Sequence, residues 1–310
     1  MAKLIDGTSI AREIRAEVAA GVQELLARHP DMSGPGLAAV LVGDDPASSI
    51  YVRNKERACR EAAIFTETFH IPTAVSQAEL LALVERLNGD PRFHGILVQL
   101  PLPQHIEERR VLQALSPAKD IDGLHPFNVG RLVEGEADFI PCTPAGIQQM
   151  LLRSGYDPGG RHVVVCGRSN IVGKPLAILL MQKRPGANAT VTICHTGTRN
   201  LADVTRQADI LVVAMGRAGA ITAEMVREGA VVIDVGINRV EDSSSPRGYR
   251  VVGDVDFEPV SRKVEAISPV PGGVGPMTIA MLLVNTLKAA RLSAHAASKN
   301  ACDTSAPGSD

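Results

Sequence analysis

Four short apolar runs in the second half of the chain, His162–Cys166, Thr190–Cys194, Ile210–Ala214 and Ala230–Asp234, constrain the fold more than any other feature. Helical patterns at Pro175–Gln182, Asn200–Gln207 and Ala223–Glu228 separate them. Strands that are apolar on both faces and alternate with helices form a parallel sheet, because each parallel connection needs a crossover that covers the sheet. The first half follows the same plan. An amphipathic helix is expected over Ile10–Arg28, and a strand over Leu37–Val42, ending at Gly43. After the loop Asp44-Asp45-Pro46-Ala47, Ser48 or Ser49 is available as N-cap for a helix to about Ala62. A strand at Phe65–Phe69, a helix at Ser76–Leu87 and a strand at Gly95–Leu100 complete this series. The expectation is an α/β protein with two doubly wound domains, the second of them Rossmann-like.

Length agrees, since 310 residues exceed what one hydrophobic core usually organises. Between the two series Cys142-Thr143-Pro144 supplies an N-cap with proline at the first helical position, so the boundary is expected near residue 140. The tail from Ser293 to Asp310 has too little apolar surface to offset ordering and is excluded from the expected fold. Charge is balanced, 32 Lys+Arg against 34 Asp+Glu, which argues against a nucleic-acid surface. Five scattered cysteines without a Cys-x-x-Cys pair fit reduced thiols, with no zinc site and no other metal implied. With no apolar run of signal-peptide or membrane-span length, the expectation is a soluble cytoplasmic protein without a membrane partner.

The run His162–Cys166 leads directly into Gly167-Arg168-Ser169-Asn170-Ile171-Val172-Gly173 and then a helix. A strand, a glycine turn and a helix N-terminus present backbone N–H groups to a pyrophosphate. The spacing departs from G-x-G-x-x-G, so a purely structural turn stays open as the competing reading. After the next strand, where an NAD domain places a carboxylate for the ribose 2′-hydroxyl, the chain has His195-Thr196-Gly197-Thr198-Arg199. With Arg199 there and Arg168 in the first turn, a 2′-phosphate finds donors, and the expected cofactor is NADP.

A second polar cluster lies in the first half. Tyr51 and Lys55 are four residues apart, on one face of the predicted helix, where a solvated face is the competing reading. Gln99 stands near the end of an apolar strand that Leu100-Pro101-Leu102-Pro103 stops, at the edge where open parallel sheets place ligands. Asp122 lies in the Asp120-Ile121-Asp122-Gly123 turn, where turn chemistry alone is the alternative. Short-chain dehydrogenases also carry Tyr-x-x-x-Lys, but after the cofactor turn; here it comes before, which points to a separate substrate domain facing the nucleotide domain across a cleft. Finally, Pro269-Val270-Pro271-Gly272-Gly273-Val274-Gly275-Pro276 is a shaped loop that brings bare backbone close to something, with a helix predicted from Met277 to about Leu292.

Tyr51-x-x-x-Lys55, Val98–Pro103, Lys119–Gly123, Gly167–Gly173 and Pro271–Thr278 occur in this order, and through them the chain closely resembles the bifunctional methylenetetrahydrofolate dehydrogenase/methenyltetrahydrofolate cyclohydrolase family. The resemblance implies NADP-dependent oxidation of 5,10-methylenetetrahydrofolate, then hydrolysis of the product to 10-formyltetrahydrofolate, in a homodimer that takes tetrahydrofolate one-carbon derivatives. It implies Lys55 as principal catalytic group, Tyr51 as the residue packing on the folate, Gln99 as partner of Lys55 and Asp122 as anchor of the pterin. Pro271, Gly272 and Gly273 would line the folate cleft; Gly167, Arg168, Ser169, Ile171, Gly173, Thr196, Arg199 and Ile237 would surround the cofactor. The last helix would return to the first domain, giving a catalytic domain of residues 1–140 plus 270–292 and a dinucleotide domain of 141–269. Two departures stand out: Asn170 occupies a position that is basic in many relatives, and Ala62-Ala63-Ile64 replaces the usual Gly-Ile ending of the Tyr-Lys helix.

The residue types suit this chemistry independently. Removing hydride from a carbon between two nitrogens leaves a delocalised cation, so that step needs positioning more than acid or base. Water adding to the cation must lose a proton, and Lys55 can accept it because burial and a cationic ligand both disfavour its ammonium form. Gln99 can hold the amine without adding charge, and Asp122 has paired acceptors for adjacent pterin N–H donors. A dehydrogenase lacking cyclohydrolase activity and a non-catalytic NADP-binding protein are the competing functions.

Overall fold

The computed structural model describes residues 1–245 and 248–303. They form two compact units: Met1–Arg12 with Val129–Met281, and Glu13–Asn128 with the described residues from Leu282 to Asp303. Along the chain the first elements are β1 (Lys3–Leu4), α1 (Gly7–Arg28), β2 (Gly36–Val42), α2 (Pro46–Glu61) and β3 (Phe65–Ile71). Then come α3 (Gln77–Gly89), β4 (Gly95–Val98), α4 (Glu108–Ala114) and α5 (Pro126–Glu134). β2, β3 and β4 make a parallel sheet in the order β3-β2-β4. Every residue of the central strand is buried, as a strand covered on both faces requires, whereas the residues of edge strand β3 are partly buried or exposed. α3 begins with a capping box between Ser76 and Glu79 and buries Leu80, Leu83, Val84 and Leu87, one helical stripe. That stripe packs with Val40, Phe93, Ile96 and Val98, and Phe93 stacks on Phe65 and meets Phe69 edge-on.

The remaining elements are α6 (Cys142–Arg153), β5 (His162–Cys166), α7 (Gly173–Leu180), β6 (Thr190–Cys194), α8 (Leu201–Thr205) and β7 (Ile210–Val213). β8 (Val231–Asp234), β9 (Asn238–Glu241), β10 (Tyr249–Val252), α9 (Phe257–Ser261), β11 (Ala266–Ile267) and α10 (Val274–Asp303) follow. Six parallel strands make one sheet in the order β1-β11-β8-β7-β5-β6, and β9 and β10 form a separate antiparallel pair. Strands β5, β7 and β8 are buried and join Ile221, Val255 and Val260 in the core of this unit.

Several details depart from the sequence expectations. α2 is capped by Asp45, whose carboxylate accepts from the Ser48 amide at 2.7 Å, with Pro46 in its first turn; neither Ser48 nor Ser49 is the cap. α10 starts at Val274, because amides of a first turn need no helical partner and Pro276 costs nothing there. It also continues to Asp303 through a stretch excluded from the expected fold, where the exposed Ala296 and Ala297 favour helix without burial. Residues 304–310 of the expected tail lie outside the described residues. Instead of a helix over 223–228 there is a single 3-10 turn, Ala223–Met225. β1 pairs with β11, which ties Met1–Arg12 to the six-stranded sheet and places them in its compact unit. From Leu282 on, α10 packs within the unit of the three-stranded sheet: Asn285 Nδ2 donates to Ile121 O at 2.7 Å, and Arg291 pairs with Glu24 at 3.6 Å.

Candidate active site

In the three-stranded unit, β2 lies between β3 and β4, so the chain switches direction across the sheet at its carboxyl end, where open α/β sheets bind ligands. α2 leaves that end of β2 and carries Tyr51 and Lys55 on one face. Lys55 is only 7 % exposed, and its Nζ donates to Gln99 Oε1 at 3.0 Å. Gln99 follows β4, its amide bonded to Val40 O at 2.9 Å, and its Nε2 donates to Leu100 O at 2.7 Å, which fixes the carboxamide with its oxygen toward the amine. A buried amine held by a neutral acceptor is not a solvated face, the reading left open by spacing alone. Tyr51 is half-buried, and burial pushes its phenol above the usual range. One turn further along α2, Cys59 is fully buried and its thiol is pushed up to about 12 by desolvation, so it is inert.

Asp122 is placed by its neighbour. Asp120 bridges Ile96 of β4 in parallel register, and the chain turns at once, with the Gly123 amide donating to Asp120 O at 3.1 Å, so Asp122 sits in the turn that follows the bridge. Asp120 performs the turn chemistry: fully buried, it accepts from the amides of Leu124 (3.2 Å) and His125 (2.8 Å) and from Asn128 Nδ2 (2.8 Å). Burial pushes its carboxyl above the usual range. Asp122 is half-exposed, its carboxylate outside that turn network.

In the six-stranded unit, β5 lies between β6 and β7 and marks the corresponding switch point. Its turn is shaped by glycine. Gly167 has φ +136°, and a Cβ there would lie 2.3 Å from Ala214 O; a Cβ on Gly173 would lie 2.1 Å from Gly167 O. Ser169 Oγ accepts from the amides of Val172 (3.1 Å) and Gly173 (3.4 Å), fixing the start of α7. Arg168 and Ser169 are exposed at the turn, and Thr196 and Arg199 after β6; among the described residues neither arginine has an ion-pair partner. Ile171 (45 % exposed), Met215 (37 %) and Ile237 (53 %) follow β5, β7 and β8, three large apolar side chains in water at the carboxyl edge of adjacent strands. Such exposure at a switch point, beside a turn admitting no Cβ, fits a dinucleotide whose flat rings need apolar cover. Met215 carried no signal in the sequence beyond its position after a strand.

The loop Pro269–Gly273 belongs to this same unit. Gly272 has φ +103°, and its carbonyl accepts from Thr8 N at 3.0 Å and Thr8 Oγ1 at 3.3 Å; a Cβ on Gly7 would lie 1.9 Å from Gly273 O. The close backbone approach expected of this loop is therefore made to the start of α1. Pro271 is exposed, Gly272 half-buried and Gly273 buried. Thus Tyr51, Lys55, Gln99 and Asp122 gather in one unit, while Pro271–Gly273 and the predicted cofactor residues lie in the other. Among the described residues no group of three or more His, Cys, Asp or Glu is arranged to hold a metal ion, and no helix is long and apolar enough to cross a membrane.

Residues 5–122 match the family model for the tetrahydrofolate dehydrogenase/cyclohydrolase catalytic domain, and residues 141–294 match that for its NAD(P)-binding domain. The chain is 58% identical over 291 residues to the bifunctional protein FolD of Syntrophus aciditrophicus, covering 94% of this chain and 98% of that protein. Among solved structures, it is similar to the bifunctional FolD enzyme of Campylobacter jejuni, with a TM-score of 0.88 and 46% identity over 94% of this chain and 100% of that one. It is also similar to the Trypanosoma brucei methylenetetrahydrofolate dehydrogenase-cyclohydrolase complexed with NADP and an inhibitor, with a TM-score of 0.89 and 40% identity over 94% and 98% of the two chains.

Proposed function

The chain belongs to the tetrahydrofolate dehydrogenase/cyclohydrolase family, and from that premise we propose that it oxidises 5,10-methylenetetrahydrofolate with NADP and hydrolyses the resulting 5,10-methenyl compound to 10-formyltetrahydrofolate. The observation that carries the hydrolytic half is the buried Lys55 amine held by Gln99 at 3.0 Å. Lys55 takes the proton from the water that adds to the methenyl carbon, because a cationic substrate beside it disfavours the ammonium form. Gln99 keeps the amine oriented without adding a charge that would stabilise the ammonium. Tyr51 covers the folate, and Asp122 accepts from the adjacent pterin donors, with Pro271, Gly272 and Gly273 as further folate contacts.

NADP supplies the hydride acceptor. Gly167, Ser169 and Gly173 shape the turn that receives its pyrophosphate, Arg168, Thr196 and Arg199 meet its 2′-phosphate, and Ile171 and Ile237 cover its rings. A homodimer working in the cytoplasm completes the reading, and light scattering of the purified protein tests the dimer. The deciding assay follows the methenyl chromophore with methylenetetrahydrofolate and each nucleotide in turn, then its decay with no nucleotide present. We expect formation with NADP and decay without it; absence of both ends the proposal, and a higher kcat/KM with NAD overturns the roles given to Arg168 and Arg199.

A further inference from the structure

Two carboxylates that no part of this reaction uses are buried under the carboxyl edge of the six-stranded sheet. Asp254 is 0 % exposed. Its Oδ2 accepts from the amides of Met215 (2.6 Å) and Gly216 (2.9 Å), and its Oδ1 from the amide of Arg217 (2.9 Å) and from Asn238 Nδ2 (2.8 Å). Asp234, at the end of β8, accepts through Oδ1 from the amides of Gly236 and Asp254, both at 2.9 Å, and through Oδ2 from that of Val255 at 2.9 Å. These partners are backbone amides and one carboxamide, not cations. Glycine is required around both groups: a Cβ on Gly236 would lie 2.3 Å from Asp254 Oδ1, and one on Gly253 would lie 1.8 Å from Asp234 Oδ2. Burial, with the neighbouring Asp254 carboxylate adding to it, pushes the Asp234 carboxyl up to about 6.

What the pair holds follows from the strand order. In a Rossmann-like unit the adenosine ribose lies beyond the end of the second strand, here β6, and the pyrophosphate at the turn after the first, here β5. Since the order runs β6-β5-β7-β8, the rest of the dinucleotide must extend over the turns after β7 and β8. Those turns are Met215–Arg217 and Gly236–Asn238. Asp254 binds three consecutive amides of the first and the side chain of Asn238 from the second, and Asp234 binds Gly236. We propose that the carboxylate of Asp254, a residue whose own amide is held by Asp234, is a positioning group that locks both turns, with Met215 and Ile237 on them, in the shape that receives the nicotinamide half of the cofactor. The proposal rests on the dinucleotide reading of this unit.

Hydrolysis of the methenyl compound needs no nucleotide and so reports on the fold independently. Asp254→Asn keeps the shape but turns an NH2 group toward amide donors. We expect the NADPH dissociation constant, read from the fluorescence of the nucleotide, to rise about tenfold or more while nucleotide-free cyclohydrolase activity stays within about twofold, as for loss of a hydrogen bond to a charged group confined to one site. Asn238→Ala, which removes a single donor from Asp254, is expected to raise the same constant about threefold, the scale of one ordinary hydrogen bond. An unchanged constant in folded variants overturns the proposal. So does a parallel fall of both activities and of the thermal midpoint, the mark of a purely structural role; should Asp254→Asn fail to fold, Asn238→Ala decides alone. Failure of the wild-type chain to bind NADPH would strike the dinucleotide reading instead.

Discussion

The two units carry their chemistry in opposite materials. Beside the β3-β2-β4 sheet the groups that matter are side chains on rigid elements: a buried amine, a carboxamide oriented by its own second hydrogen bond, and a carboxylate lifted clear of a turn that another carboxylate holds. At the six-stranded sheet the receiving surface is backbone, kept bare by glycines at 167 and 173 and clamped from beneath by Ser169 and Asp254. A site of the first kind is destroyed by changing an atom type. One of the second kind is destroyed by adding a carbon.

The largest expected effect separates them directly. Lys55→Met keeps the stem of the side chain and removes the amine, and should lower cyclohydrolase activity by about 10²- to 10⁴-fold, the range for loss of a general base. The NADPH dissociation constant should not move, because Lys55 belongs to the other unit. Full hydrolysis in this variant would remove the amine from the mechanism.

The same contrast decides what could be read from the chain. Strands β5, β7 and β8 declared themselves because burial on both faces leaves only apolar residues, and Tyr51 with Lys55 did so through helical spacing. Two-residue strands β1 and β11 carry no period and stayed invisible, as did the β9–β10 pair. Of the two aspartates in the Asp120–Gly123 turn, only the fold shows that Asp120 is the structural one. Asp234 and Asp254 gave no signal because all but one of their partners are backbone amides, which every residue except proline has. Asp45 and the two serines after it cap equally well in principle; Pro46, fixed in the first turn, settles the choice.

Titration sharpens the contrast next. The Asp234 carboxyl, raised from 3.8 to about 6, binds its proton more tightly in the native than in the unfolded chain. Stability from this group is therefore greatest below pH 4 and falls as pH rises through the window from 3.8 to about 6, by at most about 3 kcal/mol, with no further change above. Asp120 shifts in the same direction, so the measurement must be differential. Urea unfolding of the wild type and of Asp234→Asn at pH 4 and 7 should show the wild type losing ground to the variant as pH rises. A constant difference between them would mean that the carboxyl titrates normally.

A smaller effect tests the backbone site by its own rule. Gly173→Ala brings a Cβ to 2.1 Å from Gly167 O, so the turn must shift. Strain of about 1 to 3 kcal/mol at such a position predicts NADPH binding weakened by about tenfold to a hundredfold, with nucleotide-free hydrolysis intact. Unaltered binding would show that the turn does not receive the pyrophosphate.

The smallest effect is a gain, and it lies where the side-chain unit itself depends on backbone. α2 ends with Ile64 N bonded to Cys59 O at 2.9 Å, and Ala63 sits between them at φ +55°, the left-handed position that usually takes glycine. The Cβ costs about 1 to 2 kcal/mol there, while glycine would lose about 0.4 to 1 kcal/mol more chain entropy on folding. Ala63→Gly should therefore stabilise the protein by about 0.5 kcal/mol, read as a higher urea midpoint at unchanged slope. Because the hydrogen bond from Lys55 to Gln99 is made two turns earlier on the helix, cyclohydrolase activity should not change. Loss of stability would show that Ala63 is at ease in its turn, and that the end of the helix bearing the amine owes nothing to the conformational freedom that governs Gly167.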